Sequence, residues 1–206
     1  MRPDPAGPPE RVADLWWLLA HDERGGARLG RQHLALGLAA SVIAELLTQS
    51  PAGLVGDCLT ADPVVAHPLA DLAEAAARGI ARPPRVWVEW LAQEHHGRTA
   101  QDVVARLTMT GRLLRHGRQF VPVDAMTGFA PIGSLISAAG SRFPVSEPVR
   151  LLAGLALCCG LAPLVATGAE DMVRPLQLLA MGLPKHLYAL VAATDDAVAD
   201  LAMRRR

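Results

Sequence analysis

The side chains able to do chemistry in this sequence are few and poorly placed for it. His95 and His96 are adjacent, so on a helix they point about 100° apart and cannot serve one metal ion together; they read as surface histidines. Cys158 and Cys159 lie in a long apolar run and cannot bridge each other without distorting a helix, which makes them core-packing residues. Asp195 and Asp196 sit on a solvated face and do not oppose one another as acid and base. There is no GxxxxGKS/T, CxxC, HExxH or GxSxG, so the common signatures of nucleotide, zinc and acyl-transfer sites are missing. The expectation is a non-enzymatic protein with no cofactor and no metal.

What remains is a scaffold, and its centre is His33 to Leu47, HLALGLAASVIAELL. Nearly every position is apolar or small, so no face of such a helix welcomes water and other helices must surround it. Gly37, Ala39, Ala40 and Ser41 allow close approach, while Leu34, Leu38, Val42, Ile43 and Leu46 fill the space between neighbours. A bilayer span needs about 20 such residues; this run is shorter and Glu45 interrupts it. The fold class expected is mainly α, a single-domain helical bundle around this buried helix, with small β-hairpins.

Composition narrows the function classes. Apolar residues make up 51% of the 206 and charged residues 19%, which excludes a disordered chain, and the length is enough for a real core. Lys plus Arg number 20, as do Asp plus Glu, so there is no overall basic field for nucleic acid. Lysine occurs only at Lys185, so nearly every cation is an arginine, a bias that a GC-rich genome explains. Three cysteines make no disulfide framework, which fits a reducing cytosol. Residues 1–10, MRPDPAGPPE, lack a signal peptide's apolar centre and read as a disordered, Pro-rich lead to a domain over 11–206.

Along the chain, Val12, Leu15, Trp16 and Leu19 recur at helical spacing and place a first helix over Arg11 to His21, closed by the turn Asp22-Glu23-Arg24-Gly25-Gly26. Leu54 to Val65 is too broken for a helix and reads as a small hairpin or loop. Helices follow at about Pro68 to Arg78 and Arg85 to His96, the latter with an apolar side at Val86, Trp87, Trp90 and Leu91. Thr99 with Asp102 reads as an N-cap and its acidic N3, opening a helix that stops at Gly111. Leu113 to Arg115, the turn His116-Gly117-Arg118 and Gln119 to Val123 read as a hairpin. A helix followed by a hairpin has the outline of a winged module, but a basic recognition helix is absent. Ala125 to Ile132, AMTGFAPI, reads as an uncharged apolar loop. Ser146-Glu147-Pro148 opens a buried helix ending near Pro163, and two helices at about Ala169 to Met181 and Pro184 to Met203 lead to Arg204-Arg205-Arg206.

Several stretches, in this order and at similar spacing, resemble the Golgi phosphoprotein 3 family, which has actinobacterial members. They are DLWWLLAHDERGG, GLAASVIAEL, HPLADLAEAA, PPRVWVEWLAQE, the run from Gly111 through Phe120 to Asp124, AMTGFAP, RLLAGLALCCG from Arg150, and HLYALVAA, spanning Asp14 to Ala193. The resemblance implies a helical peripheral membrane adaptor without catalysis. In the family's eukaryotic members a tryptophan and several arginines recognise phosphatidylinositol 4-phosphate, and the cytosolic tails of Golgi glycosyltransferases are bound. Aligned on those stretches, this chain has Gly30 at the tryptophan position and Ala39, Gly97 and Ala100 at about the arginine positions, so no headgroup residue is matched.

Neighbouring arginines supply a different candidate set: Arg28 and Arg31 beside the tryptophan position, Arg98 beside the arginine pair. Their planar guanidinium forks suit phosphate oxygens. Met126, Phe129 and Ile132 of the apolar loop are candidates for docking into a bilayer surface or a second copy of the chain, with Arg31 and Arg98 on the same side. The leading reading is thus an anionic-lipid or phosphoinositide-binding peripheral membrane protein in the cytoplasm. The alternative is a soluble protein-interaction module that has lost lipid binding.

Overall fold

The computed structural model describes residues 11–49, 53–55, 58–60, 83–165 and 172–204. The expected lead over 1–10, the helix at Pro68 to Arg78 and the last two arginines lie outside the described residues. Among those described, the order is α1 (Val12–Ala20), α2 (Arg31–Gln49), β1 (Gly53–Val55), β2 (Cys58–Thr60), α3 (Pro84–Glu94), α4 (His96–Met109), β3 (Leu113–His116), β4 (Gln119–Pro122), α5 (Ala125–Ala139), α6 (Glu147–Cys158), α7 (Ala162–Val165), α8 (Val173–Met181) and α9 (Lys185–Arg204). The molecule is mainly helical, and each strand pair is an antiparallel hairpin.

α2 is the centre that its composition requires. It packs against α1, α3, α4, α6 and α9, and the side chains from Leu34 to Leu47 are buried without a break. Gly37 has a specific partner. The fully buried Trp16 indole of α1 lies where a Cβ on Gly37 would stand, and its Nε1–H donates to the Leu34 carbonyl at 3.4 Å. Buried Ser41 donates back to the Gly37 carbonyl at 2.7 Å, which satisfies its hydroxyl inside the helix.

Glu45 does not break α2; it joins α2 to two other helices. Its Oε1 accepts the Ala13 N–H at 2.9 Å, capping a first-turn donor of α1 that has no local side-chain cap. Arg106 of α4 reaches the same oxygen at 3.5 Å and holds Asp14 Oδ1 with Nε at 2.8 Å and Nη2 at 2.6 Å. Burial raises the Asp14 carboxyl above its ordinary value, and the Arg106 hydrogen bond and charge oppose that rise.

Several boundaries differ from the sequence reading. α4 starts at His96, so Thr99 caps nothing. It is buried inside the helix, its hydroxyl bonded to the His95 carbonyl. The stop at Gly111 is a Schellman turn: Gly111 takes φ +69°, Arg112 N–H bonds the Leu107 carbonyl at 2.8 Å and Gly111 N–H bonds Thr108 at 3.0 Å. The same device ends α6 at Cys158, short of Pro163, with Gly160 at φ +84° and the Leu161 N–H on the Ala156 carbonyl at 2.7 Å. On α3 the buried side is Pro84, Val88 and Leu91, whereas Val86 faces out.

The largest difference is AMTGFAPI. It forms the first turns of α5, capped by Asp124, whose Oδ1 accepts the Thr127 N–H at 2.7 Å. Pro131 sits inside this helix, where its missing N–H withholds one backbone bond.

Candidate functional site

The cationic candidates divide by position. Arg28 is exposed in the loop after α1 and is clipped back onto it: its Nε donates to the His21 carbonyl at 3.0 Å and its N–H to Ala20 at 2.8 Å. Arg31 opens α2, close enough to the start of α4 that its charge adds to burial in holding His96 below its ordinary pKa. Arg98 is exposed in the first turn of α4. Arg31 and Arg98 thus belong to one end of the bundle. The adjacent histidines are half-buried, not surface groups, with the His95 ring edge-on to Trp90 at 4.5 Å between centroids.

The apolar candidates lie on α5. Arg106 touches α2 near its C-terminus while His96 senses Arg31 at its N-terminus, so α2 and α4 run in the same direction. Met126 follows the chain that leaves the far end of α4, a helix of 14 residues and so about 20 Å long. Arg31 and Arg98 thus sit at the N-terminal ends of α2 and α4, whereas Met126 and Phe129 open α5 beyond the C-terminal end of α4. Ile132 departs from its assignment: it is 8% exposed and belongs to the core, whereas Met126 is 75% and Phe129 47% exposed. On a helix the residues at 126 and 129 are one turn apart on the outer face, and the one at 132 has rotated inward.

Beside Met126 and Phe129 the structure places residues that the sequence reading did not weigh. The β3–β4 hairpin pairs Leu113 with Pro122 and His116 with Gln119. Gly117, at φ +61°, takes the left-handed position of its two-residue turn. Its base is closed by the Val123 N–H on the Arg112 carbonyl at 3.1 Å, and α5 begins there. β4 then runs back against Gly25, whose φ of +78° and lack of a Cβ let the loop carrying Arg28 meet the Phe120 carbonyl. Leu113 is buried, so Leu114 points outward by the strand's two-residue period. The exposed hydrophobics Met109, Leu114, Val123, Met126 and Phe129 all fall within 21 residues of chain.

The exposed charge of the hairpin is cationic. Arg115 and Arg118 are exposed on the hairpin and Arg112 half-exposed at its base. The nearby carboxylates are committed to backbone: Asp124 caps α5, which holds its pKa low, and Asp22 accepts the N–H groups of Arg24 at 2.9 Å and Gly26 at 2.7 Å. The hint in the sequence was three closely spaced arginines, Arg112, Arg115 and Arg118, with no acidic residue between them.

No cluster of three or more His, Cys, Asp or Glu able to hold a metal occurs among the described residues. No described helix is long and apolar enough to cross a membrane. The chain matches no protein-family model and no curated protein.

Proposed function

We propose that this protein is a non-enzymatic peripheral binder of anionic membrane surfaces, built on the plan of the Golgi phosphoprotein 3 family that its sequence resembles. The observation carrying this reading is the run of chain from the β3–β4 hairpin into the start of α5, in which Leu114, Val123, Met126 and Phe129 and the cations Arg115 and Arg118 are all exposed. Full burial of a large apolar side chain contributes about 1.5–3 kcal/mol, and part burial of Met126 and Phe129 proportionately less. An arginine near an anionic leaflet adds about 1 kcal/mol. Two such apolar groups with Arg28, Arg115 and Arg118 come to about 6 kcal/mol, a dissociation constant of tens of micromolar. That is reversible attachment, in which apolar insertion and charge are each marginal alone.

No headgroup residue of the family is matched, so the contact is a diffuse one with phosphates and is screened by salt. Flotation with phosphatidylglycerol-rich and with pure phosphatidylcholine vesicles tests it. The protein should float with the anionic vesicles at about 0.15 M salt and be released at about 1 M. Arg115→Glu with Arg118→Glu, and Met126→Asp with Phe129→Asp, should each abolish flotation; Arg31→Ala with Arg98→Ala should change it little. Failure to float on anionic vesicles, or selective binding of phosphatidylinositol 4-phosphate at submicromolar concentration, refutes this reading. In the first case a soluble protein-interaction module is left.

A further inference from the structure

Cys158 and Cys159 are not both core residues. Cys158 is the last residue of α6 and is half-buried; Cys159 is its cap and is fully buried. Their sulfurs stand 3.9 Å apart. Cys158 lines an open cavity of about 690 Å³ formed with α7, α8 and α9, whose walls include Leu157, Ala180, Met181, Tyr188 and Val191, with the exposed Asp195 also on the lining.

We propose that this vicinal dithiol captures thiophilic electrophiles bearing an apolar group, trivalent organoarsenicals being the class that its geometry fits. A sulfur bonds a thiophilic centre such as zinc at about 2.3 Å, so two such bonds reach up to about 4.6 Å. One bridging atom therefore joins sulfurs 3.9 Å apart through a bent angle, with the backbone left in place. Soft thiol ligands select soft partners. A free dication fits poorly here, because it needs both thiols ionised. Cys159 is held protonated by its hydrogen bond with Cys158 and by burial, both of which raise its pKa.

Condensation with an arsenic(III) oxide avoids that cost. Two S–H bonds break, two S–As bonds form, and the oxide oxygen leaves as water carrying both protons. Arsenic stays trivalent, no electrons are transferred and the product is neutral, so its organic group lies against the apolar walls. Cys158, which faces the cavity, reacts first; Cys159 closes the chelate.

Phenylarsine oxide is the probe, read by intact mass on the full chain carrying Cys58→Ser so that only the pair can react. The expected result is one adduct per chain that survives excess 2-mercaptoethanol and is released by 2,3-dimercaptopropanol. Cys158→Ser should lose the adduct while keeping the parent's melting temperature. Cys159→Ser should lose the chelate yet retain labelling of Cys158 by N-ethylmaleimide. Absence of a monothiol-resistant adduct on the parent overturns the proposal, as does an adduct that persists in the Cys158→Ser variant. Because Cys159 is fully buried, its variant supports the test only if folded; the Cys158 variant decides it alone.

Discussion

Replacing Arg106 by Met tests the clasp that joins α1, α2 and α4. The guanidinium holds Asp14 through two bonds of 2.8 and 2.6 Å and Glu45 through one of 3.5 Å, and both carboxylates are buried. At an effective dielectric of about 20, a charge pair at such distances attracts by roughly 5–6 kcal/mol gross, most of it offset by the cost of removing the ions from water. Methionine fills much of the space but leaves the two carboxylates facing each other without their shared cation. Loss of one partner from a buried pair costs about 3–5 kcal/mol, which in a chain of this size lowers the melting temperature by about 6–20 °C. Adding Asp14→Asn should recover a large share, since it removes the carboxylate whose pKa burial already raises. Calorimetry on the parent, both single variants and the double variant gives the coupling directly. A shift under about 3 °C for Arg106→Met, or strictly additive effects, would refute the clasp as a source of stability.

Gly37→Ala should destabilise by about 1–3 kcal/mol or more through overpacking against Trp16, despite a gain of about 1 kcal/mol in helix propensity; denaturant melts and a red shift in tryptophan emission measure it. Ile132→Asp should unfold the protein by burying an unpaired charge, while Phe129→Asp at the exposed position leaves the melting temperature nearly unchanged, a contrast read by thermal scans. His21 and His96 are both held below their ordinary value, chiefly by burial. The unfolded chain therefore takes up protons first, so stability present above the ordinary value of about 6.5 declines as pH falls through it and levels off below the folded values. Denaturant midpoints across that window should show the decline, and the double variant His21→Gln with His96→Gln should flatten it.

The parts of this fold legible in the sequence are those where one short stretch carries its own reason. α2 is apolar on every side, so it announces burial wherever it lies, and Gly111 and Gly117 sit where turns need a left-handed residue. The clasp was not legible, because Glu45 finds its partners 32 and 61 residues away. The start of α5 reads as a loop because Gly128 and Pro131 are breakers in isolation; the capping pair Asp124 and Thr127 is there in the sequence, and the packed bundle tolerates the proline. For the candidate site, the family resemblance points to Arg28, Arg31 and Arg98. The exposed arginines nearest in the chain to the exposed apolar groups are on the hairpin, and only the fold shows that Leu113 turns inward and Leu114 outward.

The Arg106 clasp also sets an order of events during synthesis. α1 emerges from the ribosome before α2 and α4, but at nine residues it is too short to hold as a helix by itself. Its first-turn donor at Ala13 waits for Glu45, and Asp14 waits for Arg106, 92 residues later. At about 5–20 residues per second, that interval is roughly 5–18 s. Leu15, Trp16, Leu18 and Leu19 have no completed core to enter until then. The nascent chain thus presents an uncapped apolar segment to whatever holdase the cell supplies, and fixes α1 only once synthesis has passed Arg106.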